Sequence, residues 1–124
     1  MRLTLILALL LPFCALAQEG KKGPPPEPKN LKVLPSTMGG AQVIQVMRNI
    51  NAALGTQCTY CHVQGDFASD DNPKKETARM MMTMAREINA KFPDGKQHVT
   101  CYTCHRGATE PATAAPAPEG GAKQ

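Results

Sequence analysis

Apolar residues fall into distinct regimes along this chain. Leu3 to Leu11 is an almost unbroken apolar run behind the basic start Met1-Arg2, and Ala15-Leu16-Ala17 follows with small residues in an A-x-A arrangement. That order predicts a secretory leader over 1–17, removed after Ala17. The run is too short to cross about 30 Å of hydrocarbon, so a membrane anchor does not fit it. Cys14 raises a lipoprotein signal, but bulky Phe13 stands where such a signal takes a small residue.

Further along, the apolar positions adopt helical spacing. Val43, Met47, Ile50 and Leu54 share one face of a helix predicted from Gly40 to Leu54, with Gly55 as its left-handed stop. Thr77, Met81, Met84 and Ile88 share a face of a second helix, predicted from Pro73 to Lys91. Asn72 is its expected N-cap, Pro73 suits the first helical position, and Pro93-Asp94-Gly95 ends it. No segment alternates as a strand does, so the predicted class is all-α.

The flanks carry no apolar periodicity. Residues 18–30 hold Gly-Lys-Lys-Gly and then Pro24-Pro25-Pro26-Glu27-Pro28, which read as a proline-rich linker of extended geometry. Residues 107–124 are rich in Ala, Pro, Gly and Thr and read as a disordered tail. The folded unit is expected over 31–106, a single small domain. With aromatic residues at 4% and no tryptophan, that unit is short of the side chains that usually fill a core. Domains this small with thin cores usually need a disulfide, a metal or a bound cofactor. The formal net charge of +4, from which the leader removes Arg2, is too small an excess to argue for nucleic acid.

The chemistry sits in a string that occurs twice, Cys58-Thr59-Tyr60-Cys61-His62 and Cys101-Tyr102-Thr103-Cys104-His105. Both are C-x-x-C-H, the pattern of c-type haem attachment. Cysteines three apart on one turn reach two vinyl groups on one porphyrin edge, and the adjacent histidine then lies beneath the iron. The expected cofactors are therefore two covalently bound c-type haems. Cys58, Cys61, Cys101 and Cys104 hold the porphyrins, and His62 and His105 ligate the irons. A structural zinc site or two disulfides would use the four cysteines but leave the histidine after each pair unexplained. A thioredoxin-like redox pair would want one motif in a βαβ setting, which is not seen. Two porphyrins also supply the apolar surface that the missing aromatics do not.

An electron carrier closes both axial positions of its iron, whereas an enzyme leaves one open. Met47 lies on the apolar face of the first helix, eleven residues before Cys58 with a glycine turn between, and is the candidate sixth ligand opposite His62. The second helix offers Met80, Met81, Met82 and Met84. Core packing is the ordinary role of each, and Met84, sharing a face with Met81 and Ile88, is the candidate ligand opposite His105. His98, on a loop three residues before Cys101, is read as an exposed loop histidine with a weaker claim on that iron. Lys74, Lys75 and Arg79 open the second helix; they are read first as a solvated face and second as a patch steering an acidic partner.

These residues carry a family resemblance. Met47 with Leu54-Gly55-Thr56-Gln57-Cys58-Thr59-Tyr60-Cys61-His62, Thr77-Ala78 with Met84-Ala85-Arg86-Glu87-Ile88-Asn89, and Cys101-Tyr102-Thr103-Cys104-His105-Arg106-Gly107 together resemble the C-terminal, two-haem half of the photosynthetic reaction centre cytochrome c subunit. The resemblance implies a haem lying along the helix that precedes each motif, and Met47 as the first iron's sixth ligand. It also implies re-reduction of a photo-oxidised chlorophyll pair. The family's full chain has four haems, where this sequence has two motifs.

The expectation is thus an exported, periplasmic dihaem cytochrome c, docked on the outer face of the inner membrane. It carries single electrons between redox partner proteins, a membrane-bound photosynthetic or respiratory complex among them, and is not an enzyme. A haem enzyme or gas sensor with an open site at the second haem is the alternative.

Overall fold

The computed structural model describes residues 23–116. The predicted leader, the start of the linker and the end of the tail lie outside them. Helix α1 spans Gly40–Leu54, α2 spans Pro73–Asn89 and α3 is the short Cys101–His105; a single 3-10 turn covers Cys58–Tyr60. Among the described residues the only β pairing is an isolated bridge between Val63 and Asp66, so the chain is all-α as its spacing predicts. No described helix is long and apolar enough to cross a membrane.

Local chemistry sets the helix ends. At the start of α1 the Gln42 side chain accepts the Gly39 N–H at 3.0 Å. Gly40 lets the proline-rich segment come close, since a Cβ there would meet the Pro26 carbonyl oxygen. At the other end Gly55 turns left-handed at φ 64° and gives its N–H to Asn51 O. Asn72 caps α2 by accepting the Lys74 N–H at 3.0 Å, while its own amide donates to Tyr60 O at 3.1 Å and ties the helix to the first cysteine turn.

α2 ends at Asn89, two residues earlier than its periodicity predicts. The Asn89 side chain is the reason. Its amide nitrogen donates to Ala85 O (2.9 Å) and Val99 O (2.7 Å), and its oxygen accepts from the N–H groups of His98 (2.8 Å) and Val99 (2.9 Å). One side chain therefore closes the helix and folds the next ten residues back onto it.

Packing is unusual. α1 lies against α3, and α2 packs broadly on neither. Gly107, just past α3, donates its N–H to Ala53 O at 2.8 Å and joins the two cysteine turns through the end of α1. Among the described residues Ala53, 5% exposed, is the only buried apolar one. The α2 face predicted to be inward, with Met81 (37% exposed), Met84 (46%) and Ile88 (37%), is only partly covered, while Lys75 and Arg79 on its opposite side are buried.

Candidate haem-attachment sites

Each C-x-x-C-H string winds into one tight turn. In the first, Tyr60 N–H bonds to Gln57 O at 3.0 Å, and the N–H groups of Cys61 and His62 both converge on Cys58 O, at 3.3 and 3.0 Å. In the second, Thr100 starts α3, accepting the Thr103 N–H at 3.1 Å and donating its own to Thr103 Oγ1 at 3.0 Å. Left-handed Arg106 (φ 50°) and Gly107 (φ 88°) end that turn. Residues three apart on such a turn lie on one side of it, which brings each pair of cysteines to a common edge.

The four thiols form no disulfide. Among the described residues no three His, Cys, Asp or Glu side chains converge closely enough to hold a metal ion, so the two pairs do not build a four-thiolate site. Burial pushes the Cys61 thiol up, against the opposing charge of Lys74. Beside the second motif, residues 111–116 lie along Thr103, Cys104 and Arg106 and enclose a cleft of about 510 Å³.

Both motif histidines are held in the same way. His62 Nδ1 lies 2.9 Å from Phe67 O, and His105 Nδ1 lies 3.0 Å from Ala108 O. A carbonyl oxygen only accepts, so each Nδ1 carries the hydrogen, and in the neutral ring the lone pair then falls on Nε2. A second ring nitrogen hydrogen-bonded to a carbonyl is the usual support of a metal-ligating imidazole. The donor set at each turn fits a c-type haem: two free thiols on one edge and an oriented imidazole next to them. The partly exposed apolar side chains of α2 fit a large apolar group as well.

The Phe67 end of this arrangement is built by residues whose role spacing alone does not reveal. Lys75 Nζ donates to the carbonyls of Phe67 (3.0 Å), Ala68 (2.9 Å) and Ser69 (2.6 Å). Asp70 accepts from Arg79 (2.8 Å), Lys32 (2.7 Å) and Asn30 (2.9 Å), with Lys75 Nζ at 3.3 Å. Lys75 and Arg79 are thus neither a solvated face nor a steering patch. They are interior posts that hold the 67–70 loop, and with it the carbonyl that orients His62. Lys74 does reach outward, but it spans Tyr60, 3.0 Å from the hydroxyl and 4.4 Å from the ring centroid. The sign in sequence was only that a lysine and an arginine at i and i+4 face an aspartate in the preceding loop.

Arg79, Lys32 and Asn30 hold the Asp70 carboxyl far below the usual carboxylate range. Its folded pKa lies below its unfolded one, so its stabilisation is present above the ordinary aspartate pKa of about 3.9 and is lost as pH falls beneath it. The melting temperature of the haem-loaded protein is expected to drop below about pH 4. Asp70→Asn should melt lower at neutral pH and show a flatter acid limb. An unchanged acid limb would remove Asp70 from the explanation.

Met47 lies half-buried on α1, on the face of Val43, Ile50 and Leu54. Met84 lies on the flank of α2, in a groove of about 420 Å³ with Lys32, Val33 and Met80. His98 is engaged elsewhere: its Nε2 meets the Asp94 carboxylate at 2.9 and 3.0 Å, and its ring stacks on Phe92 with centroids 4.0 Å apart.

Comparison with known proteins agrees with this construction. The sequence model of the photosynthetic reaction centre cytochrome c subunit family matches residues 13–120, nearly the whole length. The chain belongs to this family. Cytochrome c-554 of Chloroflexus aurantiacus is 39% identical over 89 residues, which cover 67% of the chain and 21% of the relative. The reaction centre cytochrome c subunits of Thermochromatium tepidum and Rubrivivax gelatinosus are 48% identical over 59 residues and 35% over 83. These alignments cover 44% and 53% of the chain, and 14% and 23% of the relatives. The chain therefore spans about a quarter or less of the length of these curated relatives. Membership makes it a c-type cytochrome, a class defined by covalently attached haem.

Proposed function

We propose that this reaction centre cytochrome c family member is a dihaem electron carrier, exported and acting at the outer face of the inner membrane. Cys58 and Cys61 hold one haem with His62 as its proximal ligand and Met47 as its sixth. Cys101 and Cys104 hold the other, with His105 proximal. The observation that carries the reading is the matched pair of imidazoles, each beside its cysteine pair with Nδ1 hydrogen-bonded to a carbonyl. A bound c-type haem supplies a one-electron iron couple. The chain's part is to fix the ring planes and to keep the irons in a largely apolar setting.

The leader over 1–17 supports export, the compartment where thioether attachment normally takes place. The relatives' names support a reaction centre or a comparable membrane complex as the partner. The test is haem content and spectrum after maturation with haem-attachment machinery. Two haems per chain are expected, and His62→Ala should lose the low-spin spectrum of one. One haem or none per chain, or an unchanged spectrum in His62→Ala, overturns the reading.

A further inference from the structure

Where the proline-rich linker meets the folded unit, the stretch from Pro26 to Val33 is tied to three separate elements. Pro26 seats on the first turn of α1, where Gly40 leaves its carbonyl oxygen the room that a Cβ would take. Asn30 turns the chain left-handed (φ 63°), a conformation that asparagine adopts more readily than most residues. Its amide nitrogen donates twice to the 67–70 loop, to Ala68 O at 2.7 Å and to Asp70 Oδ1 at 2.9 Å. Lys32 Nζ meets Asp70 Oδ2 at 2.7 Å, and Val33 O accepts from Arg86 of α2 at 3.4 Å. Prolines before the anchored residues lower the cost of pinning this stretch, because a proline has less backbone freedom to lose.

These contacts join residues 38, 40 and 53 positions apart, and they reach α2, which packs broadly on neither other helix. The Asn30 contact bears on the first motif. Ala68 O accepts from Asn30 and also from the buried Lys75, at 2.9 Å. Phe67 is the next residue back, and its carbonyl holds His62 Nδ1. Fixing Ala68 O therefore fixes the peptide beside the one that orients the imidazole. His105 has no such tie: its Nδ1 bonds to Ala108 O within its own turn. Among the described residues no hydrogen bond links 26–33 to 101–108.

We infer that residues 26–33 clamp the first haem site, and that Asn30 is a positioning residue for His62, acting through the 67–70 loop. The inference rests on the dihaem reading above. The experiment uses the full chain matured with haem. Haem content comes first, and fewer than two haems per parent chain overturns the dihaem reading before the clamp is tested. With two present, trypsin cleavage after Lys29 and Lys32 is timed in the parent, in Asn30→Gly and in a synthetic peptide of residues 24–38. Glycine keeps the left-handed turn and removes only the amide. The parent should be cut far more slowly than the peptide. Asn30→Gly should be cut about tenfold faster than the parent, the opening expected from losing two ordinary hydrogen bonds. Electron paramagnetic resonance of the ferric protein then reads ring orientation, which slower or faster opening alone does not move. The g values of the low-spin signal that His62→Ala removes should shift in Asn30→Gly, while the other iron's signal stays in place. A parent cut as fast as the peptide overturns the clamp. An unchanged His62 signal in Asn30→Gly, or equal shifts at both irons, overturns the positioning role.

Discussion

Chain produced without haem is expected to lose most of its helical circular dichroism and to melt without a cooperative transition. The polypeptide buries too little apolar surface to hold itself together. Burial contributes about 25 cal/mol per Å², whereas ordering the backbone costs on the order of 1–2 kcal/mol per residue. Among the described residues only Ala53 is a buried apolar residue. Helices of 15 and 17 residues are marginal when alone in water, and α2 has little direct support from the other two. Covering the open faces of α2 and the cysteine turns is then the step that folds the chain. Haem-loaded chain should melt cooperatively in the same buffer. A sharp transition in the haem-free chain would show that the protein core is self-sufficient.

In the haem-loaded protein, Gly55→Ala is expected to lower stability by about 3 kcal/mol or more, placing it among severe point substitutions. Gly55 has φ 64°, and an alanine there costs about 1–2 kcal/mol in conformation alone. The larger part is steric. A Cβ at Gly55 would run into the Gly107 carbonyl oxygen, which belongs to the turn closing α3. That turn cannot yield without breaking the Gly107 N–H bond to Ala53 O at 2.8 Å, at the most extensive helix–helix contact among the described residues. Gly65 is the control: its φ is 85°, yet a Cβ there meets nothing within 4 Å. Gly65→Ala should show only the conformational loss. On the order of 4–8 °C per kcal/mol separates the two variants in thermal unfolding. Equal losses would mean that the contact at Gly107 is not tight in solution.

The parts of this protein legible in its sequence are those that depend on neighbours a few residues away. The α1 boundaries follow from apolar residues at helical spacing and from Gly55, whose left-handed turn needs no distant partner. The start of α2 follows from Asn72 and Pro73 for the same reason. The cysteine turns are legible because a string of five residues contains both thiols and the imidazole that a porphyrin requires. Their cost in apolar surface was visible too, in a chain with few aromatics and many methionines.

The tertiary structure decided what lies between these pieces. Sequence spacing reads an apolar helix face as inward and a charged one as outward, on the premise that protein covers the apolar side. In α2 that premise fails: Lys75 and Arg79 go inward to three loop carbonyls and Asp70, while Met81, Met84 and Ile88 stay partly exposed. What holds the 67–70 loop, and with it the carbonyl that orients His62, depends on contacts between residues far apart in the chain, Asn30 and Lys32 with Asp70. Such contacts are set by where backbone groups must find partners, and no local pattern of residue types encodes them.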